Sequence, residues 1–495
     1  MKTITDDIKL LREQIDQLDQ QLQGLFEQRL DLAKQIAIIK QDNNLPMSDF
    51  TREAEIIAGI ETMATEKLNY LKIYFQAIIA ISKRYQTDSF RAIDFRRTLA
   101  IKEKIIDPVF SVAALAKADS SPQRVNATIG TLVGEDEKTV AFETVYAIYN
   151  SIDNSDKASY AQSFVGNSDF LQSVNSWVLP SDFQRYTATI ATSGGTGAVN
   201  LVISNTLDYY QTTILPDLAW TSYQLMAEEN LLKVENYSLF NENKEFDIDL
   251  LLASIKKVAA YQKQVVVVVN DPAHNPSGYS LSDQQWGQLI ACINELDKNN
   301  FVIINDIAYI DFAAERGANT YMHWFNELKD HCLVAIAFSG SKTLSMYGMR
   351  IGACILSGEK TAVESLFMVL EREARAMWSN INNAAMRTFA LLQKEHLSEY
   401  QKEKKHYFEL LQQRAKLFLN QAAACDLPCY PYKSGFFITV VCADNELRDR
   451  LFDLLLQRHI YLVKVEKGLR VAICGITLKK VDGLAGLIKE SSLAL

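Results

Sequence analysis

The sequence predicts two domains of different class. An all-α segment of three helices comes first. A larger α/β domain follows, with a parallel-sheet-rich layer, and it closes in a small α+β part. Three observations carry this reading. Leu11, Ile15, Leu18, Leu22, Leu25, Leu32 and Ile36 recur mostly at steps of three and four, the period of an amphipathic helix. From about residue 125 strand and helix patterns alternate, and Val265 to Val269 is an unbroken apolar run of the kind buried on both faces of a parallel sheet. Polar residues then gather just beyond three such strands, where open parallel sheets hold their ligands.

Taken in order, the first helix is predicted over roughly residues 6 to 41, until Asn43-Asn44-Leu45-Pro46 breaks it. Ser48 or Asp49 caps a second helix that runs to about Met63. A third runs from about Thr65 to Gln86, and the polar stretch Thr87 to Arg97 joins the two domains. Phe301 to Ile304 and Leu333 to Phe338 read as further buried strands, and Gly435 to Val441 belongs to the small α+β part. The expected boundaries are 1–90 for the first domain and 91–495 for the second. Within the second, the large part takes about 140–405 and the small part 91–139 plus 406–495.

Composition bounds the function. The chain has 495 residues, 48% apolar and 22% charged, the balance of a globular protein. A formal net charge of -9 argues against broad binding to nucleic acid or to anionic membrane. No run approaches a membrane span, and Met1 to Asp7 has no apolar signal core, so the expected location is the cytoplasm. Seven thinly spread cysteines, the first at Cys292, read as reduced thiols. Cys425 and Cys429 lack the second pair or histidine that a zinc site needs, so no metal is expected.

The second domain's chemistry centres on Lys342, in Ser339-Gly340-Ser341-Lys342, eight residues before Arg350. A lysine at a strand's carboxyl end, beside hydroxyls, glycines and an arginine, suits a Schiff base to a phosphorylated aldehyde cofactor. The amine must be desolvated to become nucleophilic, and the arginine gives the phosphate a fixed counter-charge. Two other strand ends should converge on it. One is Asn270-Asp271-Pro272-Ala273-His274-Asn275-Pro276-Ser277-Gly278, the other Asn305-Asp306-Ile307-Ala308-Tyr309. Ser193-Gly194-Gly195-Thr196-Gly197 precedes a helical run whose N–H groups can cradle a phosphate.

These four elements in this order, over roughly residues 100 to 495, resemble the aspartate and aromatic aminotransferases of the fold-type I pyridoxal-phosphate enzymes. The resemblance implies pyridoxal 5'-phosphate as cofactor, bound through Lys342. It implies that Asp306 pairs with the pyridine nitrogen, that Tyr309 and Asn275 hold the ring hydroxyl, and that Trp220 stacks on the ring. Gly195, Thr196, Ser339 and Arg350 would hold the phosphate, and Arg470 would clamp the substrate α-carboxylate. Tyr160, reaching the phosphate, and Arg375, recognising a distal carboxylate, would come from a neighbouring subunit. Two departures stand out: the run after Tyr160 leaves the usual pattern, and Ser277 stands where threonine is commoner.

In the first domain, a heptad-like helix is by itself a dimerisation element. Its charges point further. Arg29 and Lys40 fall within roughly 20° of each other and about 16 Å apart along the helix, so both could bracket a small dianion. Arg12 lies about 26 Å from Arg29 on the same helix, so only a two-fold partner could bring an Arg12 to that site. Asp49, Arg52 and Glu53 share one face of the second helix, and Ser82 and Gln86 lie one turn apart on the third. The set holds cations, an acid and neutral donors, with no nucleophile and no imidazole.

The same residues, in runs from Leu11 to Asp19, at Gln28-Arg29, Lys40 and Pro46, from Asp49 to Glu53 and from Ser82 to Gln86, resemble the all-helical chorismate mutases over residues 5 to 90. By that likeness Arg29 and the partner's Arg12 bind two carboxylates with Ser82 and Arg52. Glu53 takes the ring hydroxyl with help from the Asp49 main chain, and Lys40 and Gln86 donate to the ether oxygen. Such a pocket needs only to hold the reactive conformer and stabilise developing charge.

The expectation is a bifunctional homodimer of aromatic amino-acid metabolism. One domain turns chorismate into prephenate. The other transaminates an aromatic 2-oxo acid with glutamate or aspartate as amino donor. Alternatives at this point are direct transamination of prephenate to arogenate, a first domain serving only as sensor or dimerisation module, and a pyridoxal-phosphate-sensing transcription regulator. The last would need a basic DNA-binding module, which the acidic first domain does not provide.

Overall fold

A computed structural model describes residues 4–43, 45, 49–61, 67–89, 105, 107–313 and 319–495. The chain divides into two compact units, residues 1–103 and 104–495. The first contains α1 (Ile4–Asp42), α2 (Phe50–Glu61) and α3 (Leu68–Ser89). At 39 residues, α1 is about 58 Å long. Asn44, Pro46, Ser48, Met63, Thr65 and most of the expected connection from Thr87 to Arg97 lie outside the described residues. Asp49 is described: its Oδ1 accepts from the Arg52 N–H at 3.0 Å and so caps α2.

Both α1 and α2 pack on α3. The contact from α1 is made by small residues, since Ala33 and Ala37 are its buried apolar positions. The large stripe read from the sequence faces away: Leu11, Leu18, Leu25 and Leu32 are each 57–62% exposed, and Ile15, Leu22 and Ile36 are also open. Alanine lets two backbones approach closely. The leucines stay open.

The second unit begins with α4 (Pro108–Ala118), capped by Asp107 at the N–H groups of Val109 and Phe110. The strand β1 (Val125–Asn126) follows. The main layer is a seven-stranded sheet of β2 (Tyr186–Ser193), β3 (Thr212–Pro216), β4 (Lys233–Tyr237), β5 (Gln264–Asn270), β6 (Asn300–Asp306), β7 (Cys332–Ser339) and β8 (Ile351–Gly358). The order is β2-β8-β7-β6-β5-β3-β4. The run from β4 to β7 is parallel, whereas β8 is antiparallel to both neighbours, so the sheet is mixed.

The valine run explains the layering. Val265, Val267 and Val269 join the core on one face of the sheet, and Val266 and Val268 join a second core on the other. Ile303 and Ile304, and Phe338 and Ala337, split the same way. A two-residue period with both faces covered is what a central parallel strand requires. The carboxyl ends of β5, β6 and β7 therefore all open on one edge.

The small part has β9 (Phe437–Val441), β10 (Ile460–Tyr461), β11 (Val463–Val465) and β12 (Gly468–Ala472). β12 lies between β11 and β9, antiparallel to both, and β10 pairs with β1. The helix Leu397–Ala424 ties the two parts together. Its Tyr400 hydroxyl donates to the Thr343 carbonyl, and its fully buried Arg414 donates to the carbonyls of Cys474 and Val133 and to Glu135.

Candidate active sites

A cavity of about 520 Å³ opens beyond the strand ends of the second unit. The sheet contributes Asn270, Asp306 and Ser339, with Asn275, Tyr309, Lys342 and Arg350 just after them. Gly195, Thr196 and Trp220 line another wall, and Phe437 and Arg470 come from the small sheet. Every residue assigned from the sequence to this site within one chain lines this cavity.

Lys342 sits in the single turn Gly340–Thr343 and donates to the Gly130 carbonyl at 2.7 Å. The rings of Tyr347, Tyr309 and Phe436 stand 4.8, 5.6 and 5.8 Å from its Nζ. It keeps some accessible surface because it faces the cavity, yet enclosure pushes its amine down from 10.5 to about 8. Arg470 and Arg350 push the same way, while Cys474 and Asp306 oppose. The result is an amine that loses its proton far more readily than a surface lysine.

Asp306 is buried, and burial pushes its carboxyl up. Hydrogen bonds from the Tyr223 hydroxyl at 2.5 Å and the Ala308 N–H at 3.0 Å oppose that shift, as does Lys342. A buried carboxylate of this kind is suited to a cationic partner in the cavity.

A glycine turn stands at the start of the helix Gly194–Thr206, whose first N–H groups suit an anion. Gly194 has φ +71°, and a Cβ there would come within 2.6 Å of Arg350 Nη2. A Cβ on Gly195 would lie 3.1 Å from the Ser339 side chain. The Arg350 guanidinium donates to Ser341 Oγ at 3.0 Å and to the Ser193 carbonyl at 3.2 Å, which aims it at the turn.

Arg470, on β12, is buried and its guanidinium lies 4.4 Å over the Phe437 ring. It donates to Asn275 Oδ1 at 3.1 Å and to the Thr128 carbonyl at 2.6 Å, while its Nε has no hydrogen-bond partner. Tyr160 is 85% exposed and Arg375 is bonded to Ser379 Oγ; neither lines the cavity of its own chain.

Sequence reasoning missed Tyr223, Tyr347, Phe437, Ile129 and Phe110, all of which line the cavity. Tyr347 lies between Lys342 and Arg350, both named from the sequence, but was given no role there. Phe110 and Ile129 carried no local signal, because α4 and the segment after β1 reach the site only through the tertiary fold.

In the first unit, Arg29 donates to Ser82 Oγ and, at 3.4 Å, to the Ile78 carbonyl; burial lowers its proton affinity. Gln86 donates to the Ala33 carbonyl at 2.9 Å. Glu53 pairs with Lys83 at 2.7 Å, a cation the sequence reading left without a role. Arg52 turns to Glu55 at 2.9 Å, in an exposed pair. Lys40 is half-buried, and Arg12 is exposed. The fold thus joins Arg29 with Ser82 and joins α2 to α3 through Glu53. It leaves Arg12 about 26 Å along the axis from Arg29.

Among the described residues no group of three or more His, Cys, Asp or Glu side chains is placed to hold a metal ion. No described helix is long and apolar enough to cross a membrane.

Comparison with known proteins identifies both domains. The profile of the family "Aminotransferase class I and II" matches residues 131–488, and that of "Chorismate mutase type II" matches residues 11–87. Among curated relatives, the mitochondrial aspartate aminotransferase of Dictyostelium discoideum is 24% identical over 401 residues, 77% of this chain and 89% of its own. An aminotransferase structure from Anaerococcus prevotii aligns with a TM-score of 0.74 and 27% identity, over 81% of this chain and 99% of that one. An aromatic-amino-acid aminotransferase from Burkholderia pseudomallei, covalently bound to pyridoxal phosphate, aligns with a TM-score of 0.66 and 21% identity, over 79% of this chain and 98% of that one. The cofactor fits the residues present: a desolvated amine, a buried carboxylate across the cavity, an aromatic wall at Trp220 and a glycine cradle closed by Arg350. The chain belongs to the class I and II aminotransferases, which use pyridoxal phosphate, and carries a type II chorismate mutase domain ahead of the aminotransferase.

Proposed function

We propose that residues 1–90 rearrange chorismate to prephenate, and that residues 91–495 transaminate an aromatic 2-oxo acid with glutamate or aspartate as donor. The observation that carries the substrate class is the surround of Arg470. Its guanidinium lies over Phe437, its Nε lacks a partner, and Ile129, Tyr347 and Phe110 complete an apolar and aromatic rim. A carboxylate on Arg470 satisfies the orphaned donor. The rim then receives an aromatic side chain.

Pyridoxal phosphate, when bound, supplies the electron sink. The protein supplies placement. Arg350, Ser339, Gly195 and Thr196 hold the phosphate. Trp220, Asn275 and Tyr309 would orient the ring, and Asp306 would offer its buried carboxylate to the ring nitrogen. Lys342 Nζ would take the proton from the donor α-carbon and deliver it, within the same half-reaction, to the cofactor carbon that receives the nitrogen; in the second half-reaction it would carry a proton the reverse way, onto the α-carbon of the acceptor. Arg375 and Tyr160 serve a neighbouring subunit, where Arg375 meets the donor's distal carboxylate.

In the mutase unit, Arg29 with Ser82 and the partner subunit's Arg12 hold the two carboxylates. Arg52 and Asp49 border them, Glu53 takes the ring hydroxyl, and Lys40 and Gln86 stabilise charge on the ether oxygen. The exposed stripe of α1, with 57–62% of Leu11, Leu18, Leu25 and Leu32 open, supports pairing with a second copy. A homodimer in the cytoplasm is the state we infer.

The test is to give the full-length protein chorismate, glutamate and pyridoxal phosphate, with and without phenylpyruvate or 4-hydroxyphenylpyruvate, and identify every product by mass spectrometry. Prephenate, 2-oxoglutarate and the matching aromatic amino acid are expected. Arogenate would show that prephenate itself is accepted. No turnover of any of these oxo acids would overturn the substrate class.

A further inference from the structure

We propose that Asp311 is a positioning residue for the aminotransferase reaction: it sets the place of the Lys342 amine by holding Thr343. The inference rests on the reading of Lys342 as the reactive amine. Its basis is a buried polar network behind the cavity that contributes nothing to the cavity wall. The Asp311 carboxylate is only 7% exposed and receives three donors. Thr343 Oγ1 donates to Oδ2 at 2.7 Å, Trp177 Nε1 donates to Oδ2 at 3.1 Å, and Lys404 Nζ donates to Oδ1 at 2.7 Å. From the other side, the Tyr400 hydroxyl donates to the Thr343 carbonyl. The residue directly after Lys342 is therefore gripped at its side chain and at its backbone.

Two features give this grip a purpose. The turn Gly340–Thr343 is four residues long, so it holds itself together with little more than the Leu344 N–H to Gly340 carbonyl bond at 2.9 Å. Its place must come from outside contacts. Asp311 is also five residues after Asp306 and two after Tyr309, in the short turn Ile310–Phe312. One carboxylate thus links the loop beyond β6, which carries Asp306 and Tyr309, to the turn beyond β7, which carries Lys342. It spans the two halves of the site.

Stability alone does not explain the arrangement. A buried Lys–Asp pair is weak support for a fold, because desolvation offsets most of the attraction. The adjacent rings of Trp177 and Tyr400 stand 5.8 and 5.6 Å from the Lys404 ammonium, so the pair is also ordered by aromatic contact. What such a network does specify is direction and distance. Proton transfer at Lys342 Nζ is sensitive to both: a displacement of about 1 Å can cost up to about a hundredfold.

The test uses the full-length holoenzyme. Asp311→Asn and Thr343→Val are compared with wild type and with Thr343→Ser, which keeps the hydroxyl. Four quantities are read: borohydride-fixed cofactor per chain, KM for glutamate, kcat, and the isotope effect with α-deuterated glutamate. Asp311→Asn and Thr343→Val are expected to keep cofactor content and KM within about twofold, while kcat falls about ten- to a hundredfold and the isotope effect rises. Thr343→Ser should restore kcat and the isotope effect. Thr343→Val covers the case in which Asp311→Asn, leaving Lys404 without its counter-charge, does not fold. Wild-type kcat and isotope effect in Thr343→Val overturn the proposal. So does a loss spread equally over cofactor content, KM and kcat that Thr343→Ser does not reverse, since that is structural damage. A Lys342→Ala protein that still carries borohydride-fixed cofactor overturns the reading of Lys342 itself instead.

Discussion

Lys342 is surrounded by aromatic rings and two arginines, and burial brings its amine down to about 8. The neutral amine is the form that attacks an aldehyde. As pH rises through about 8 the proton leaves, so the rate of cofactor capture by the apoprotein should climb up to that pH and then level off. Borohydride trapping over a pH series measures it; a rate still climbing toward 10.5, the ordinary lysine value, would mean the amine is not desolvated. Tyr223 gives a second expectation at this scale. Its hydroxyl bonds Asp306 inside a fully buried site, and Phe in its place removes the donor while keeping the ring. Losing a hydrogen bond to a charged group costs about 1.5–3 kcal/mol, roughly ten- to a hundredfold in affinity. Equilibrium dialysis of pyridoxal phosphate against Tyr223→Phe should show that loss, and unchanged binding would assign Tyr223 to packing alone.

The elements explain how distant residues meet. Three parallel strand ends deliver Asn270, Asp306 and Ser339 to one edge, and β12 brings Arg470 across to Asn275. In the first unit α1 does two tasks with two faces. Ala33 and Ala37 receive α3, while Leu11, Leu18, Leu25 and Leu32 stay open. If a second α1 covers that stripe, each mutase pocket draws Arg12 from one chain and Lys40 from the other. Arg12→Ala and Lys40→Ala should each abolish mutase turnover. A mixed dimer of the two should regain about one working site in two, because one pocket then contains neither substitution. Mutase assays on tagged, co-purified heterodimers decide it, and no recovery in proven heterodimers would rule out a shared pocket.

At the scale of the whole molecule, the residues proposed for the mutase site belong to the first unit, and the described residues that line the cavity belong to the second. Lys342→Ala should therefore end transamination and leave chorismate turnover within about twofold, the scatter expected of independent sites. Parallel assays on one preparation read both. A mutase loss that matches the aminotransferase loss would instead mean that the two units are coupled. The helix Leu397–Ala424 illustrates coupling within the second unit. Tyr400 holds the turn of Lys342, and fully buried Arg414, on the same helix, bonds the carbonyls of Cys474 and Val133.

Local chemistry was legible from the residues alone. Val265 to Val269 read as a central strand because five consecutive β-branched residues need cover on both faces, and the two cores supply it. Lys342, Asp306 and Gly195 stood out because each lies at a strand end or a glycine turn, whereas Arg470 was named only through the family resemblance. What the sequence could not carry was any contact between segments far apart in the chain. The antiparallel insertion of β8, the reach of Ile129 and Phe110 to the cavity, the Lys83–Glu53 pair and the grip of Asp311 on Thr343 are all of that kind. Periodicity and turn chemistry act over a few residues, whereas these pairings depend on how whole layers stack. Only the packed chain decides them.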